Sequence, residues 1–105
     1  MICIGSAPFR VEIESGVESR PAEAVAVYGQ WIAVRGDRPV RRHDPVRIHL
    51  HWDGGAVTTL PGLVRTSTPV GLAVHLTHVD LHGVEGDWAT FLRYLGTRFA
   101  ATAVA

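Results

Sequence analysis

The sequence predicts a small, mainly β protein, in which about six short antiparallel strands close into a barrel and one α-helix follows at the C-terminus. Most of the chain alternates apolar and polar residues with a period of two, which is typical of strands with one buried face. Turn residues separate these segments, and many short strands favour a barrel over an open sheet. Only the last segment changes to the period of a helix.

The length and composition predict one domain, spanning residues 1–105 with a core at about 6–96. A chain of 105 residues with 47% hydrophobic residues buries roughly two-thirds of its unfolded surface. Ten arginines, with no lysine, balance ten acidic residues, so the formal charge is zero. A general DNA or RNA binder needs an excess of positive charge, so we expect no nucleic-acid partner.

The compartment is predicted from the single cysteine and from the N-terminus. Cys3 has no partner for an intrachain disulfide, which fits a reducing compartment. The opening "MICIGSAPFR" lacks a basic leader, and no apolar run approaches the roughly 20 residues that cross a bilayer. We therefore expect a cytoplasmic protein without membrane insertion. The sequence does not predict its oligomeric state.

The strands follow in chain order and are separated by turn signals. "DGG" at 53–55 predicts a hairpin turn, and "STPVG" at 67–71 predicts another. Because proline cannot donate a ladder hydrogen bond, "LPG" at 60–62 predicts an interruption by a bulge or a sheet edge. The predicted strands are 9–14, the two arms of a hairpin within 23–36, 46–53, 56–66 and 72–79.

The C-terminal segment predicts an amphipathic helix. Asp87 is well placed to cap its N-terminus. One apolar stripe at the spacing i, i+3, i+4, i+7 and i+11 consists of Trp88, Phe91, Leu92, Leu95 and Phe99.

The hairpin "EAVAVYGQWIAVRG" places two aromatic residues at its turn. Gly29 and Gln30 fit a two-residue turn whose first residue has positive φ, so that Tyr28 faces Trp31. Such a cross-strand aromatic pair contributes on the order of 0.5–1 kcal/mol. This register predicts a core face of Val25, Val27, Ile32 and Val34, and an outward face of Ala24, Ala26, Tyr28, Trp31 and Ala33.

The outward face of this hairpin has three interpretations. The C-terminal helix or the N-terminal segment covers it, or it is an exposed apolar docking surface, or a slipped register buries Trp31 in the core.

The order of the elements resembles the PilZ domain family over about residues 6–96. The resemblance rests on "FRVEI", the hairpin, "RRHDPVRIHLHW", "LPGLVRTSTPVGLAVHL" and "FLRYL". It implies a Greek-key barrel with a C-terminal helix. It also implies a regulatory role in bacterial processes linked to cyclic di-GMP, such as motility, pili and surface behaviour.

The two nucleotide-binding motifs of that family are not intact. Arg10 matches the second arginine of R-x-x-x-R, and Ser6 stands at the first. Ala26, Tyr28 and Trp31 stand where the D/N-x-S-x-x-G motif has its carboxylate or amide, its serine and its glycine. The resemblance therefore implies a non-enzymatic adaptor that contacts a protein through Tyr28 and Trp31, since buried aromatic residues concentrate binding energy.

The alternative is a cyclic di-GMP receptor that uses Arg10 together with Arg41 and Arg42 of the charged loop. Guanidinium groups bind phosphates in pairs, and Tyr28 or Trp31 would stack on guanine. No other ligand or cofactor is predicted.

Metal binding and catalysis have weaker support. His49 and His51 share a strand face, and three more histidines lie near the last strand, but a zinc site needs three or four convergent ligands. His78 has the same strand parity as Leu72, Val74 and Leu76, which predicts a place at the edge of the core. The sequence contains no recognised catalytic motif, so we expect neither a metal nor an enzyme activity.

Overall fold

The structure is a computed structural model that describes residues 2–3, 10–51, 57–82, 89–90 and 93. The described part is mainly β, as the alternating sequence predicts. Its strands are β1 (Ile2–Cys3), β2 (Arg10–Ser15), β3 (Glu18–Tyr28), β4 (Trp31–Gly36), β5 (Pro45–His51), β6 (Val57–Gly71) and β7 (Val74–Leu81).

Strands β2 to β7 form a closed, six-stranded antiparallel barrel. The strand order is β3-β2-β5-β6-β7-β4, and β4 returns to pair with β3. The two-residue strand β1 adds to β3 at Ala26 and Val27. The predicted mainly β barrel is confirmed.

Two three-stranded units make up this barrel. Hairpins connect β2, β3 and β4 in one unit and β5, β6 and β7 in the other. The units meet where β2 pairs with β5 and where β4 pairs with β7. We call these two junctions the β2–β5 seam and the β4–β7 seam. The loop 37–44 crosses one end of the barrel between them.

The interior is filled with aliphatic side chains. The alternation of the sequence explains this directly, since β5 buries every second residue from Val46 to Leu50. Among the residues that the structure describes, Thr77 is the one buried polar residue, and its hydroxyl lies 3.0 Å from Ser67 Oγ. The core cluster consists of Val11, Ile13, Ala24, Val27, Ile32, Val34, Val46, Ile48, Leu50, Leu60, Val64, Val79 and Leu81.

The register of the β3–β4 hairpin is confirmed at its turn and shifts further back. Gly29 has a φ of 55°, and Tyr28 faces Trp31. A β-bulge at Val25 then places Ala24 opposite Val34. A bulge adds one residue and so reverses which side chains face inward. The expected core position of Val25 is therefore wrong: Val25 is half-buried, and Ala24 belongs to the core instead.

"LPG" does not end its strand, because β6 runs through it, but Pro61 lies at a sheet edge on its β7 side, which is one of the two expected alternatives. Pro61 faces Arg47 in the ladder with β5, and its carbonyl accepts a bond from His82 N at 2.9 Å. In a strand, the nitrogen and carbonyl of one residue point to the same side. The nitrogen of Pro61 therefore points toward the end of β7, where no strand residue needs a donor from it. Gly62 then permits a close approach, since a Cβ there would lie 2.6 Å from Val79 Cγ1.

The turn expected at 67–71 is wrong. These residues continue β6, and the turn falls at Leu72 and Ala73. The side chains of β7 that face the core are consequently those of Thr77, Val79 and Leu81, and His78 lies on the outward face.

Two other predictions fall mainly outside the described residues. These are the turn at 53–55 and the C-terminal helix with its apolar stripe. In the segment predicted to be helical, Ala89, Thr90 and Arg93 are described, and each is helical. Within the described ranges, no helix is long and apolar enough to cross a membrane.

Candidate functional site

The outer face of the β4–β7 seam carries an apolar patch around Trp31. This residue begins β4 and is half-buried, and its ring centroid lies 5.5 Å from that of His78 at an interplanar angle of 54°. Ala33, which faces His78 in the ladder, and Ala26, which faces Ala33, are both buried although they lie outside the core cluster. We call Ala26, Trp31, Ala33 and His78 the tryptophan patch.

Polar contacts hold the edge of the tryptophan patch in place. Thr66 Oγ1 lies 3.2 Å from His78 Nδ1, which fixes the imidazole against the indole. Beside it, Arg65 Nε donates to Asp80 Oδ2 at 3.0 Å. An apolar centre with a charged rim is the usual anatomy of a protein–protein contact.

The two predicted aromatic anchors are positioned by the same turn. The backbones of Tyr28 and Trp31 pair directly, and Trp31 is not part of the core cluster. The interpretation in which a slipped register buries Trp31 is therefore wrong. The side chain of Tyr28 lies outside the described set, so its exposure stays a prediction.

The structure does not bring the three arginines of the predicted nucleotide site together. Arg10 is exposed and faces His51, the last residue of β5. Arg41 and Arg42 are exposed in the loop that precedes Pro45, the first residue of β5. The length of β5, about 20 Å at 3.3 Å per residue, therefore separates Arg10 from the other two.

The remaining arginines near that loop are ion-paired. Arg35 Nη2 lies 2.6 Å from Glu23 Oε2, and Arg38 Nη1 lies 3.9 Å from Glu18 Oε2. Both pairs are exposed, so each contributes little to stability.

The outer face of the β2–β5 seam carries a second cluster, the carboxylate–histidine ladder of Glu12, Glu14, His49 and His51. His49 Nε2 lies 3.1 Å from Glu14 Oε1, and its Nδ1 lies 2.9 Å from Thr59 Oγ1. His51 Nε2 lies 2.8 Å from Glu12 Oε1, but the ring N–H is not directed at that oxygen. This second contact is an ion pair when the imidazole is protonated.

The pKa of Glu12, at one end of the ladder, is lowered in the folded chain. Ser19 Oγ donates to Glu12 Oε2 at 3.0 Å. This hydrogen bond, and next the charge of His51, hold the pKa of Glu12 below its ordinary value of 4.5, while desolvation acts in the opposite direction. A donor that favours the ionised carboxylate lowers its pKa in this way.

This ladder is not predicted from the sequence, although the shared strand face of His49 and His51 is. The polar face of each strand is visible in the sequence. The contacts between the glutamates and the histidines also require β2 and β5 to be neighbours in the correct register. Within the described ranges, no three histidine, cysteine or acidic side chains form a group that could hold a metal ion.

No protein-family model, curated protein or solved structure matches the chain. The resemblance to the PilZ domain therefore stays a prediction.

Proposed function

We propose that this chain is a non-enzymatic regulatory domain that acts as an adaptor through protein contacts at the tryptophan patch. The position of Trp31 carries the proposal: it is half-buried on the outside of the barrel, beside two buried alanines. A large, stiff side chain held in place before binding loses little entropy when a partner covers it. The rim formed by Arg65 and Asp80 would then orient the partner.

The distribution of side chains favours binding over catalysis. The described core cluster is aliphatic throughout, and a small barrel filled with side chains leaves little room for a substrate. On the outside, the carboxylate–histidine ladder connects neighbouring strands.

The finer fold and the biological setting belong to the same proposal. We infer a Greek-key barrel with a C-terminal helix of the PilZ type, acting in the bacterial cytoplasm in processes linked to cyclic di-GMP. The placement of β5 beside β2, after the three connected strands β2 to β4, supports the Greek key. The helical residues Ala89, Thr90 and Arg93 support the helix.

The proposal is tested by the double variant Tyr28→Ser/Trp31→Ser. Capture of a protein partner from extracts of the source cell should be lost, while the circular dichroism spectrum of the barrel is retained. The matched control is Val57→Ser, which removes an aliphatic side chain that is 53% exposed and lies away from the tryptophan patch. Capture that survives in the double variant contradicts the proposal, and unfolding of the double variant assigns the two rings a structural role.

The second candidate function is a cyclic di-GMP receptor. The observation that favours it is Arg10, which is exposed and makes none of the ion pairs found among the described residues. Because the strand β5 separates it from Arg41 and Arg42, we expect no binding heat when cyclic di-GMP is titrated into the protein. Micromolar or tighter binding that disappears in Arg10→Ala would establish the receptor instead.

A further inference from the structure

Three loops gather at one end of the barrel, which we call the loop end. They are the β2–β3 turn at Gly16 and Val17, the β6–β7 turn at Leu72 and Ala73, and the crossing loop 37–44. A groove of about 350 Å³ joins the β6–β7 turn to the end of β4, and a smaller one of about 120 Å³ joins the crossing loop to the β2–β3 hairpin. The first groove is lined by Pro21, Ala22, Glu23, Arg35, Gly36, Asp37, Ala73 and Val74.

The two hairpin turns at the loop end present aliphatic side chains to water. Val17 is 103% exposed and Leu72 is 98% exposed, and near Leu72 the bulged Val70 is 55% exposed. Turn tips are usually glycine, asparagine, aspartate or serine, because these residues fit both the solvent and the backbone. Neither Val17 nor Leu72 stabilises the barrel, since neither packs against it.

The backbone at the loop end is strained as well. Ala73 has a φ of 55° and His43 has a φ of 69°, and these are the two residues other than glycine with positive φ in the described part of the chain. A residue with a Cβ costs about 1–2 kcal/mol in this conformation. Such outliers concentrate at functional positions, where the surrounding structure enforces them.

The crossing loop presents two arginines from a rigid turn. Arg41 and Arg42 are consecutive and exposed, and the next residue, His43, is exposed as well. Their turn is fixed by bonds from Asp44 N to Arg41 O at 3.1 Å and from His43 N to Val64 O at 2.7 Å. Further back, Val40 packs against the core. Arg38 of this loop is paired with Glu18, whereas Arg41 and Arg42 make none of the ion pairs found among the described residues, so these two arginines carry the positive charge that the loop presents.

We propose that the loop end docks on the surface of an anionic phospholipid bilayer. Val17 and Leu72 enter the boundary between headgroups and acyl chains, and Arg41 and Arg42 contact lipid phosphates. Apolar tips beside basic residues are the combination that binds this boundary. The side chains of Val17 and Leu72 project from separate turns with charged grooves between them. A lipid surface can accommodate both side chains because it is fluid, whereas a protein partner would need a separate preformed pocket for each.

This surface is distinct from the proposed partner contact. Trp31 lies beside the β3–β4 turn and Leu72 beside the β6–β7 turn, and the strands β4 and β7 run between them. A domain that used both surfaces would hold its protein partner at a membrane. The two proposals can fail independently, because they depend on different residues.

The experiment is sedimentation of the whole chain with vesicles. One set contains phosphatidylcholine alone, and the other contains phosphatidylcholine with phosphatidylglycerol as the anionic component. We expect binding to the anionic vesicles only, with affinity that falls as salt rises, because exposed charges are screened. Val17→Ser/Leu72→Ser should lower the partition coefficient at least about tenfold, since each side chain would otherwise leave water. Arg41→Gln/Arg42→Gln should lower it about fivefold for each charge and weaken the dependence on salt.

Two matched controls keep this result specific. Val57→Ser removes an aliphatic residue at the opposite end of β5 from the crossing loop, and Arg47→Gln removes an exposed charge from the barrel wall. Both should bind like the unchanged chain. Because Val17 and Leu72 are fully exposed, the unfolding midpoint of their double variant should not move, and Val17→Ser alone provides a milder test. The proposal is overturned if the unchanged chain ignores both vesicle types, or if the controls lose binding as much as the tip variant does.

Discussion

The β2–β5 seam and the β4–β7 seam close the same barrel and resemble each other inside, yet their outer faces differ. Inside, Ile13 faces Ile48 in the first and Ile32 faces Val79 in the second, and all four are buried. Outside, the first seam carries the carboxylate–histidine ladder, and the second carries the tryptophan patch.

The difference shows that the outer face of one seam is occupied by internal polar contacts, while the outer face of the other is available for binding. Exposed ion pairs contribute about 0–1 kcal/mol, so the ladder adds little stability. The polar side chains of the ladder are compatible with a surface that remains in water, because they already pair with one another. The tryptophan patch leaves part of a large apolar ring accessible, which is typical of a surface that is covered on binding.

The largest effects should come from the inside of the seams, and they should be equal. Ile32→Ala and Ile48→Ala each remove a side chain that is 0% exposed, so each should lower the free energy of unfolding by about 2–5 kcal/mol. Urea unfolding of both variants measures this. A loss under about 1 kcal/mol in only one of them would show that the seams already differ inside.

The second-largest loss of stability should come from a substitution that disturbs the β4–β7 seam and leaves the β2–β5 seam unchanged. In Gly62→Ala the new methyl group would meet Val79 Cγ1 at 2.6 Å and Asp80 O at 2.7 Å, which displaces the residue that faces Ile32. Overpacking of this kind costs about 1–3 kcal/mol. The matched control is Gly71→Ala, whose nearest contact is an ordinary 3.7 Å and whose thermal midpoint should stay unchanged. Equal behaviour of the two variants would refute the close approach of β6 and β7.

A smaller effect should distinguish the two outer faces. Trp31→Ser removes the ring contact with His78 and should lower stability by about 1 kcal/mol. A double-mutant cycle on Glu14 and His49 should give a coupling energy below that value, because both side chains are partly exposed. Chemical unfolding of these variants gives both numbers. A coupling of several kcal/mol would make the ladder a major source of stability.

The smallest effect depends on pH and concerns Glu12. Its pKa is lower in the folded chain than the ordinary 4.5, so its contribution is complete above that pH and is lost as the pH falls through the folded pKa. Glu12→Gln should therefore lower stability by less than about 1 kcal/mol at neutral pH and make no difference at strongly acidic pH. In Ser19→Ala the pKa of Glu12, followed by NMR, should rise toward 4.5. An unchanged value would contradict the role of the serine hydroxyl.

The sequence predicts the strands better than it predicts their partners. A period of two locates the aliphatic side of β2 and β5 because each strand buries alternate residues. The bulges at Val25, Arg65 and Val70 cannot be read in this way, since a bulge exists only relative to a paired strand. The bulge at Val25 explains why the inward face of β3 differs from expectation.

The candidate sites follow the same division. Trp31 was predicted from a local turn, and that turn is confirmed by Gly29 and its positive φ. The ladder joins residues 35 positions apart in the chain, so it depends on strand order. The separation of Arg10 from Arg41 and Arg42 depends on strand order as well, which short motifs do not encode.

Photo-crosslinking from each outer face tests the proposed adaptor function most directly. A photoreactive side chain would replace Gln30, which is exposed beside Trp31, or Thr59, which is exposed beside His49, and the chain would be irradiated in its source cell. We expect a covalent adduct with one protein partner from position 30 and none from position 59. An adduct from position 59 alone, equal adducts from both, or none from either would contradict a partner contact at the tryptophan patch.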